Sequence, residues 1–171
     1  MIPQIKRILY ATDLSKNSAY AFYYAVDIAQ KRNAQIVIVH VVMPVPAYAR
    51  FYAQLDEKAE QAKYEEIMAE IQKRLKNFCE KVDAKVGTPC LELVSNILVR
   101  VGHPVEEILQ AAEQEGCDMI LLGSHGKGFL TQTFLGSVSR SVLDRTRRPV
   151  FIIPLPPEKV DIPWDKVLEE I

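Results

Sequence analysis

Residues 118–139 read DMILLGSHGKGFLTQTFLGSVS. The opening DMILLG, 118–123, is a short apolar run of the kind that forms a buried strand, and 137–145 (SVSRSVLDR) spaces Val138, Val142 and Leu143 to face inward from a helix. Between them fall four of the chain's seven glycines, at 123, 126, 128 and 136. A glycine-rich loop that leaves a strand and feeds a helix aims several backbone N–H groups into one small space. The helix start adds about half a positive charge, and the two together make an anion site. A side chain at Gly123, Gly126 or Gly136 would stand between the backbone and a phosphate or force an unfavourable φ, and Ser137 adds a hydroxyl donor. The segment holds no GxxxxGK(S/T), and a GxGxxG fingerprint would belong after the first strand rather than the fourth, so the common nucleotide motifs are absent. On the residues alone, a tight surface loop with glycines for its turns is the plainer alternative.

Working outward, 6–11 (KRILYA) and 35–42 (QIVIVHVV) are β-rich runs, and 15–32 between them has helical spacing at Ala21, Phe22, Ala25, Val26, Ile28 and Ala29. Both runs are apolar at consecutive positions, which suits central strands of a parallel sheet covered on both faces. After Pro44 and Pro46, the residues Met68, Ile71, Leu75, Phe78 and Val82 recur at steps of three and four, the stripe of an amphipathic helix packed on its own sheet. A third strand is predicted over 94–101 (VSNILVRV). Gly102-His103-Pro104 then leads into a helix with Val105, Ile108, Leu109 and Ala112 inward and Glu106 and Glu107 in its first turn, where they complement the dipole. Gly116 is placed to close that helix, 118–123 is the fourth strand and 149–153 (PVFII) the fifth. Alternating strands and helices with right-handed crossovers make a doubly wound parallel sheet, and such sheets bind ligands beyond the carboxyl ends of their strands. Ala11-Thr12-Asp13 and Gly123 end strands on that side.

A chain of 171 residues, 49% hydrophobic and 25% charged, is enough for one core of ordinary size and too short for two. Its formal net charge of −1 exerts no overall pull on nucleic acid or on an anionic membrane, so neither is expected as a partner. Cys79, Cys90 and Cys117 are odd in number and contain no CxxC, which argues against a disulfide framework or a zinc site and for a reducing, cytoplasmic setting. The first ten residues lack the pattern of a secretory signal, and no apolar run approaches the roughly 20 residues a bilayer requires.

Gly123, two residues, Gly126, nine residues and then Gly136-Ser137 match the G-2x-G-9x-G-(S/T) pattern of ATP-binding universal stress proteins. ILYATDLS, VRVGHPVEEIL, CDMILLGSHGKG and LGSVSRSVLDRTRRPVFIIP follow in the family's order, so the chain resembles that family over roughly residues 5–154. The resemblance implies one nucleotide-binding domain over 1–154 and a Pro-rich tail over 155–171. It also implies an adenine nucleotide α-hydrolase-like fold, a three-layer α/β/α sandwich on a five-stranded parallel sheet of order 3-2-1-4-5. A homodimer paired through the edge of the fifth strand goes with that fold. The implied ligand is ATP, or AMP or ADP, with Mg²⁺ bound through the phosphates. The implied function is that of a cytoplasmic stress-response regulator or nucleotide sensor with at most weak ATP hydrolysis.

Residue by residue, Gly123, Gly126, Gly136, Ser137 and Val138 resemble the family's phosphate and ribose cradle. Thr12 and Asp13 match its first-strand loop, which meets the adenosine part. Val41 matches the position whose backbone reads the adenine edge, and Gly102 lines the ribose side. Apart from the resemblance, His125 and Lys127 within the loop are candidate phosphate contacts, with an exposed loop histidine and a solvated lysine as the plainer alternatives. Two departures from the family pattern are Ala11, where some members have proline, and Gly128-Phe129, where many have a small polar residue followed by glycine.

Other chemistries lack their residues. A receiver-like phospho-acceptor site needs an acidic pair after the first strand and a lysine closing the fifth, and neither is present. His40, His103 and His125 have no Cys or acid at metal-ligand or triad spacing, and no nucleophile is set beside a base. Arg145, Arg147 and Arg148 read as cations at a helix C-terminus, without the interleaved aromatics of an RNA-binding surface. Two alternatives to a nucleotide-binding regulator remain at this level: a slow ATPase or phosphotransfer enzyme, and a dimeric scaffold that needs no nucleotide. In the tail, Pro156, Pro157 and Pro163 discourage helix up to Trp164, which leaves two readings: an extended arm that docks Trp164 on the same or a neighbouring subunit, or a disordered terminus.

Overall fold

The computed structural model describes residues 2–54, 56–87, 89–125 and 135–154. Gly126, Lys127, Gly128-Phe129 and the 155–171 tail with Trp164 lie outside the described residues.

Five parallel strands form one sheet: β1 (Arg7–Thr12), β2 (Gln35–Val42), β3 (Val94–Val101), β4 (Met119–Gly123) and β5 (Val150–Ile153), in the order β3-β2-β1-β4-β5. This is the 3-2-1-4-5 arrangement that the resemblance implied. Because successive strand residues point to opposite faces, each central strand feeds two cores. Ile8, Tyr10, Ile36, Ile38 and Leu121 face one side, where α1 (Lys16–Arg32) and α3 (Glu57–Val86) cover them with Phe22, Ala25, Leu75, Phe78 and Val82. Leu9, Ala11, Val37, Val39, Ile120 and Leu122 face the other, under α5 (Pro104–Gln114) and α6 (Ser137–Arg145). Phe22 stands between Tyr10 and Phe78, with ring centroids 5.0 and 5.2 Å away.

Local chemistry sets the element boundaries. Ser15 caps α1 by accepting from the Ser18 N–H, and Asn33 ends the helix in the left-handed region at φ 51°. Asp56 caps α3 through the Ala59 N–H at 2.7 Å, and Pro104 opens α5 at a position where no N–H is needed. Gly116, at φ 60°, closes the α5 end as the sequence suggests.

Two short helices have no counterpart in the sequence reading: α2 (Ala47–Ala53) and α4 (Cys90–Leu93). Helix α2 buries none of its residues, and Pro44 and Pro46 just before it read as a break. It is held by the Val45 N–H donating to the Tyr64 hydroxyl at 2.7 Å and by an Arg50–Glu60 ion pair at 3.4 Å. Helix α3 begins eleven residues before Met68, the first residue of the predicted stripe, because Asp56, Glu57 and Glu60 suit a helix start even where nothing apolar is buried. In α6 the expectation for Leu143 is corrected. It is 48% exposed, and the buried face belongs to Ser139 and Val142, with Val138 packed beside them.

Candidate functional site

The carboxyl end of β1 turns sharply into α1. Thr12 is the last strand residue and is buried; its hydroxyl lies 2.8 Å from the Ser18 hydroxyl and accepts the Leu14 N–H at 3.1 Å. The Asp13 carboxylate accepts the Ser15 N–H at 3.0 Å. These two bonds hold Leu14 at φ 63°, a left-handed conformation that costs a leucine about 1 kcal/mol or more. Beneath the turn, Tyr10 donates its hydroxyl to the Ser18 carbonyl, and burial pushes the phenol far above its ordinary range, so it acts only as a neutral donor. On the neighbouring strand, His40 Nδ1 donates to the Thr12 carbonyl at 2.8 Å, a structural task for a residue that lacked catalytic partners in sequence.

Strand β2 outruns β1. Thr12 is opposite His40, whereas Val41 and Val42 pair only with Arg100 and Val101 on β3. The Val41 backbone therefore stands at the rim of the sheet directly above the Thr12-Asp13 turn, while its side chain packs on the α5/α6 core. Gly102 continues the ladder by donating to the Val42 carbonyl at 3.0 Å. A Cβ at Gly102 would lie 2.6 Å from Glu107 Oε1, and Glu107 also pairs with Arg100 at 3.6 Å, so the glycine makes room for a carboxylate of its own chain.

On the other side of β1, the two ends of the glycine-rich segment come together. Ser124 donates its N–H to the Ile153 carbonyl at 2.7 Å and accepts the Gly136 N–H on its own carbonyl, also at 2.7 Å. Ser139, one turn into α6, donates its hydroxyl to the Gly123 carbonyl at 2.8 Å. The first turn of α1 approaches the same place, with Asn17 Nδ2 3.5 Å from the His125 carbonyl. His125 Nδ1 is 2.9 Å from the Ser124 hydroxyl.

Gly136 owes its identity to crowding and not to φ, whereas at Gly123 an added Cβ would make only ordinary van der Waals contacts. Gly136 has an ordinary extended backbone at φ −62°, ψ 156°. A Cβ there would meet the Ser124 carbonyl oxygen at 3.1 Å, and one at Gly123 would meet the Asn17 and His125 carbonyls at 3.5 Å. Neither residue takes the left-handed conformation allowed for in the sequence reading; among the described glycines only Gly87 and Gly116 do.

Gly136 caps α6 without a side-chain hydrogen bond. The N–H groups of Ser137, Val138 and Ser139 find no acceptor among the described residues. A helix start with orphan donors carries partial positive charge and attracts an anion. Among the described residues, no cluster of three or more His, Cys, Asp or Glu side chains is arranged to hold a metal ion. Thr12, Asp13, Gly123, His125, Gly136, Ser137 and Val138 are thus gathered around the β1 and β4 ends, with Val41 and Gly102 along the β2–β3 rim. Sequence reasoning missed Asn17, Ser18, Ser124 and Ser139. Asn17 and Ser139 meet backbone carbonyls remote in sequence, for which no local pattern exists, while Ser18 and Ser124 meet near neighbours whose conformation the fold sets.

The basic cluster is engaged elsewhere. Arg145 grips Glu106 through two bonds of 2.7 and 3.0 Å, holding the Glu106 carboxyl below its usual range, and Arg148 pairs with Glu113 at 3.0 Å and donates to the Cys117 carbonyl at 2.7 Å. These contacts tie α6 and its exit to α5. No helix among the described residues is long and apolar enough to cross a membrane.

The model of the universal stress protein family matches residues 4–154. Universal stress protein MJ0577 of Methanocaldococcus jannaschii is 31% identical over 154 residues, covering 86% of this chain and 94% of that one. The solved structure of MJ0577 superposes with a TM-score of 0.68 at 25% identity, over 91% of this chain and 100% of the other. A universal stress protein in complex with cAMP aligns at TM-score 0.53 and 22% identity, over 88% and 98% of the two chains. A family member from Arabidopsis thaliana with AMP bound aligns at TM-score 0.53 and 16% identity, over 94% and 98%. These last two are likenesses of fold.

Proposed function

The chain belongs to the universal stress protein family, and from that premise we propose that it binds an adenine nucleotide, ATP foremost, at the carboxyl ends of β1, β2 and β4. The carrying observation is the start of α6, where three successive N–H groups lack acceptors among the described residues beside a β4 end drawn tight by the Ser124–Gly136 bond. That arrangement suits phosphate, which accepts several hydrogen bonds and gains from the helix dipole. The Val41 backbone, standing above the end of β1, offers N–H and C=O groups to an adenine edge, and the Thr12-Asp13 turn lies between base and phosphate. The same fold holds cAMP in one neighbour and AMP in another.

Mg²⁺ would be carried by the phosphates, and its charge would offset theirs. The protein acts as a cytoplasmic nucleotide-responsive regulator. Its homodimer forms at β5, an edge strand on which Phe151 and the neighbouring Tyr24 expose apolar surface. Titration calorimetry with ATP and Mg²⁺, with GTP alongside and released phosphate counted in parallel, tests the reading. Micromolar binding selective for ATP with little turnover is expected. A folded protein that binds neither nucleotide overturns it in favour of a scaffold, and sustained turnover overturns the regulator in favour of an enzyme.

A further inference from the structure

The two edges of the sheet, β3 and β5, are finished differently. Along β3 the Gly102 N–H meets the Val42 carbonyl, and successive strand residues turn their backbone groups to opposite sides, so Ile97, Val99 and Val101 direct N–H and C=O away from β2. Both outward groups of Ile97 are taken by side chains of the same chain. Its N–H donates to Asn96 Oδ1 at 3.0 Å, and its carbonyl accepts from Gln72 Nε2, on α3, also at 3.0 Å. The orientation of the Asn96 amide is fixed, because its Nδ2 donates to Glu115 Oε1 at 3.3 Å. Ile71 and Ile97 pack on the same core, which brings α3 over this edge. Just before, the pairing steps from Ile36–Val94 to Val37–Asn96, so Ser95 is left out of the ladder as a bulge, its hydroxyl donating to the Ile36 carbonyl at 3.3 Å. On β5, Pro149 and Ile153 face inward and accept from Ile120 and Ser124. Val150 and Ile152 therefore face outward, and no side chain among the described residues meets their N–H or C=O groups.

We propose that Gln72 and Asn96 close the β3 edge to pairing with a second copy of this chain, leaving β5 as the edge of the sheet open to another strand. An added strand needs the N–H and C=O groups of alternate residues along the edge. With Ile97 occupied and Ser95 bulged, outward groups remain only from Val99 to Val101, a run shorter than the roughly five or six residues of an ordinary strand. Were both edges open, copies could add to one another without limit. Assembly through β5 instead joins two sheets and ends there, because each outer edge of the pair is a closed β3. That consequence rests on the β5 dimer proposed above, whereas the closing of β3 does not.

Amide hydrogen exchange and sedimentation of the full chain test this. Relative to the intrinsic rate of each sequence, the Ile97 amide is expected to exchange about 3- to 10-fold faster in Asn96→Ala, the range of one hydrogen bond. In Asn96→Asp, which keeps the acceptor oxygen, the rate should stay as in the unmodified protein. The double variant Gln72→Ala/Asn96→Ala should form species larger than any of the unmodified protein as concentration rises. The Ile97 amide should regain protection as they form, because a neighbouring strand then takes its N–H. Adding Phe151→Lys blocks β5, and the triple variant should still associate beyond Phe151→Lys alone. Urea unfolding of each variant separates an opened edge from a lost fold. An unchanged Ile97 rate in Asn96→Ala, sedimentation of the double variant that matches the unmodified protein at every concentration, or association without the return of Ile97 protection would overturn the inference. A Phe151→Lys protein that remains dimeric would remove the β5 reading alone, since its comparison with the triple variant still reports on β3.

Discussion

Replacing Gly136 with alanine separates two reasons for a glycine at that position. At φ −62°, ψ 156°, alanine is conformationally at ease, so no strain arises from the backbone itself. Narrowing the conformations open to the unfolded chain favours the variant by about 0.4–1 kcal/mol. Against this, the new Cβ would stand 3.1 Å from the Ser124 oxygen, inside ordinary van der Waals separation, and that oxygen already accepts the Gly136 N–H at 2.7 Å. A carbonyl cannot swing away as a long side chain does, so the bond must lengthen, at about 0.5–1.5 kcal/mol. The two contributions nearly cancel. The net change in stability is under about 1 kcal/mol, or about 2–4 °C in Tm for a domain of this size. Binding has no such compensation: the shift displaces the first turn of α6 and the three N–H groups it presents, and ATP affinity is expected to fall about 10-fold, worth about 1.4 kcal/mol. Differential scanning calorimetry and ATP titration of the same preparation read both numbers. A Tm lowered by more than about 10 °C would show that the approach of Gly136 to Ser124 is a demand of the fold, and an unchanged ATP affinity would refute the link between this crowding and the ligand.

Thr12→Val keeps the shape of a buried side chain but removes the oxygen that meets Ser18 and accepts the Leu14 N–H, so a loss of about 1–3 kcal/mol is expected in urea unfolding; a loss under about 0.5 would mean that water replaces the hydroxyl. Phe151→Lys places a charge at the β5 edge, where Phe151 packs edge-on against Tyr24 at 6.4 Å, and sedimentation should then report monomer; a dimer that persists would locate the contact elsewhere. Burial pushes the Cys117 thiol up to about 11, so between its ordinary value and about 11 the folded chain holds a proton that the unfolded chain releases. Stability must then fall as pH rises through that window, by up to about 1.4 kcal/mol per pH unit for one group. Urea midpoints at pH 8 and pH 10 should move less in Cys117→Ala than in the unmodified protein, and equal movement would assign the alkaline loss to other groups.

The strands that could be read from sequence are those buried on both faces. Ile36, Val37, Ile38 and Val39 are each at most 1% exposed, and a strand with helices on both sides must be apolar at consecutive positions, as this run is. Helix α2 was invisible for the opposite reason. Tyr48, Phe51 and Tyr52 have helical spacing but are 70–83% exposed, so no core contact marks them, and two prolines precede them. In α6 the spacing of Val138, Val142 and Leu143 fits an inward face, yet the helix is rotated so that Ser139 reaches the Gly123 carbonyl and Leu143 turns outward. A carbonyl at the end of β4 needs a donor, and satisfying it decides the rotation in place of the leucine; hydropathy alone ranks the two residues the other way.

The same distinction divides the candidate site. Glycine spacing pointed to Gly136 because close backbone approach leaves a residue type behind it, whatever the partner, and to Gly123 through the family pattern alone. Serine leaves no such mark. Ser18 matters because Tyr10 and Thr12 end β1 beside it, and Asn17 because β4 lies next to β1, which brings His125 from 108 residues away. That adjacency follows from the strand order, which strand and helix patterns alone do not contain and which the family resemblance supplied. Ser124 depends on still more, since β5 fixes its N–H, its carbonyl accepts from Gly136 and the ring of His125 lies 2.9 Å from its hydroxyl. Small polar residues thus acquire their meaning only after the topology is known. The ones that connect two loops at the strand ends, as Ser124 and Ser139 do, are where a substitution with little effect on stability should have most effect on binding.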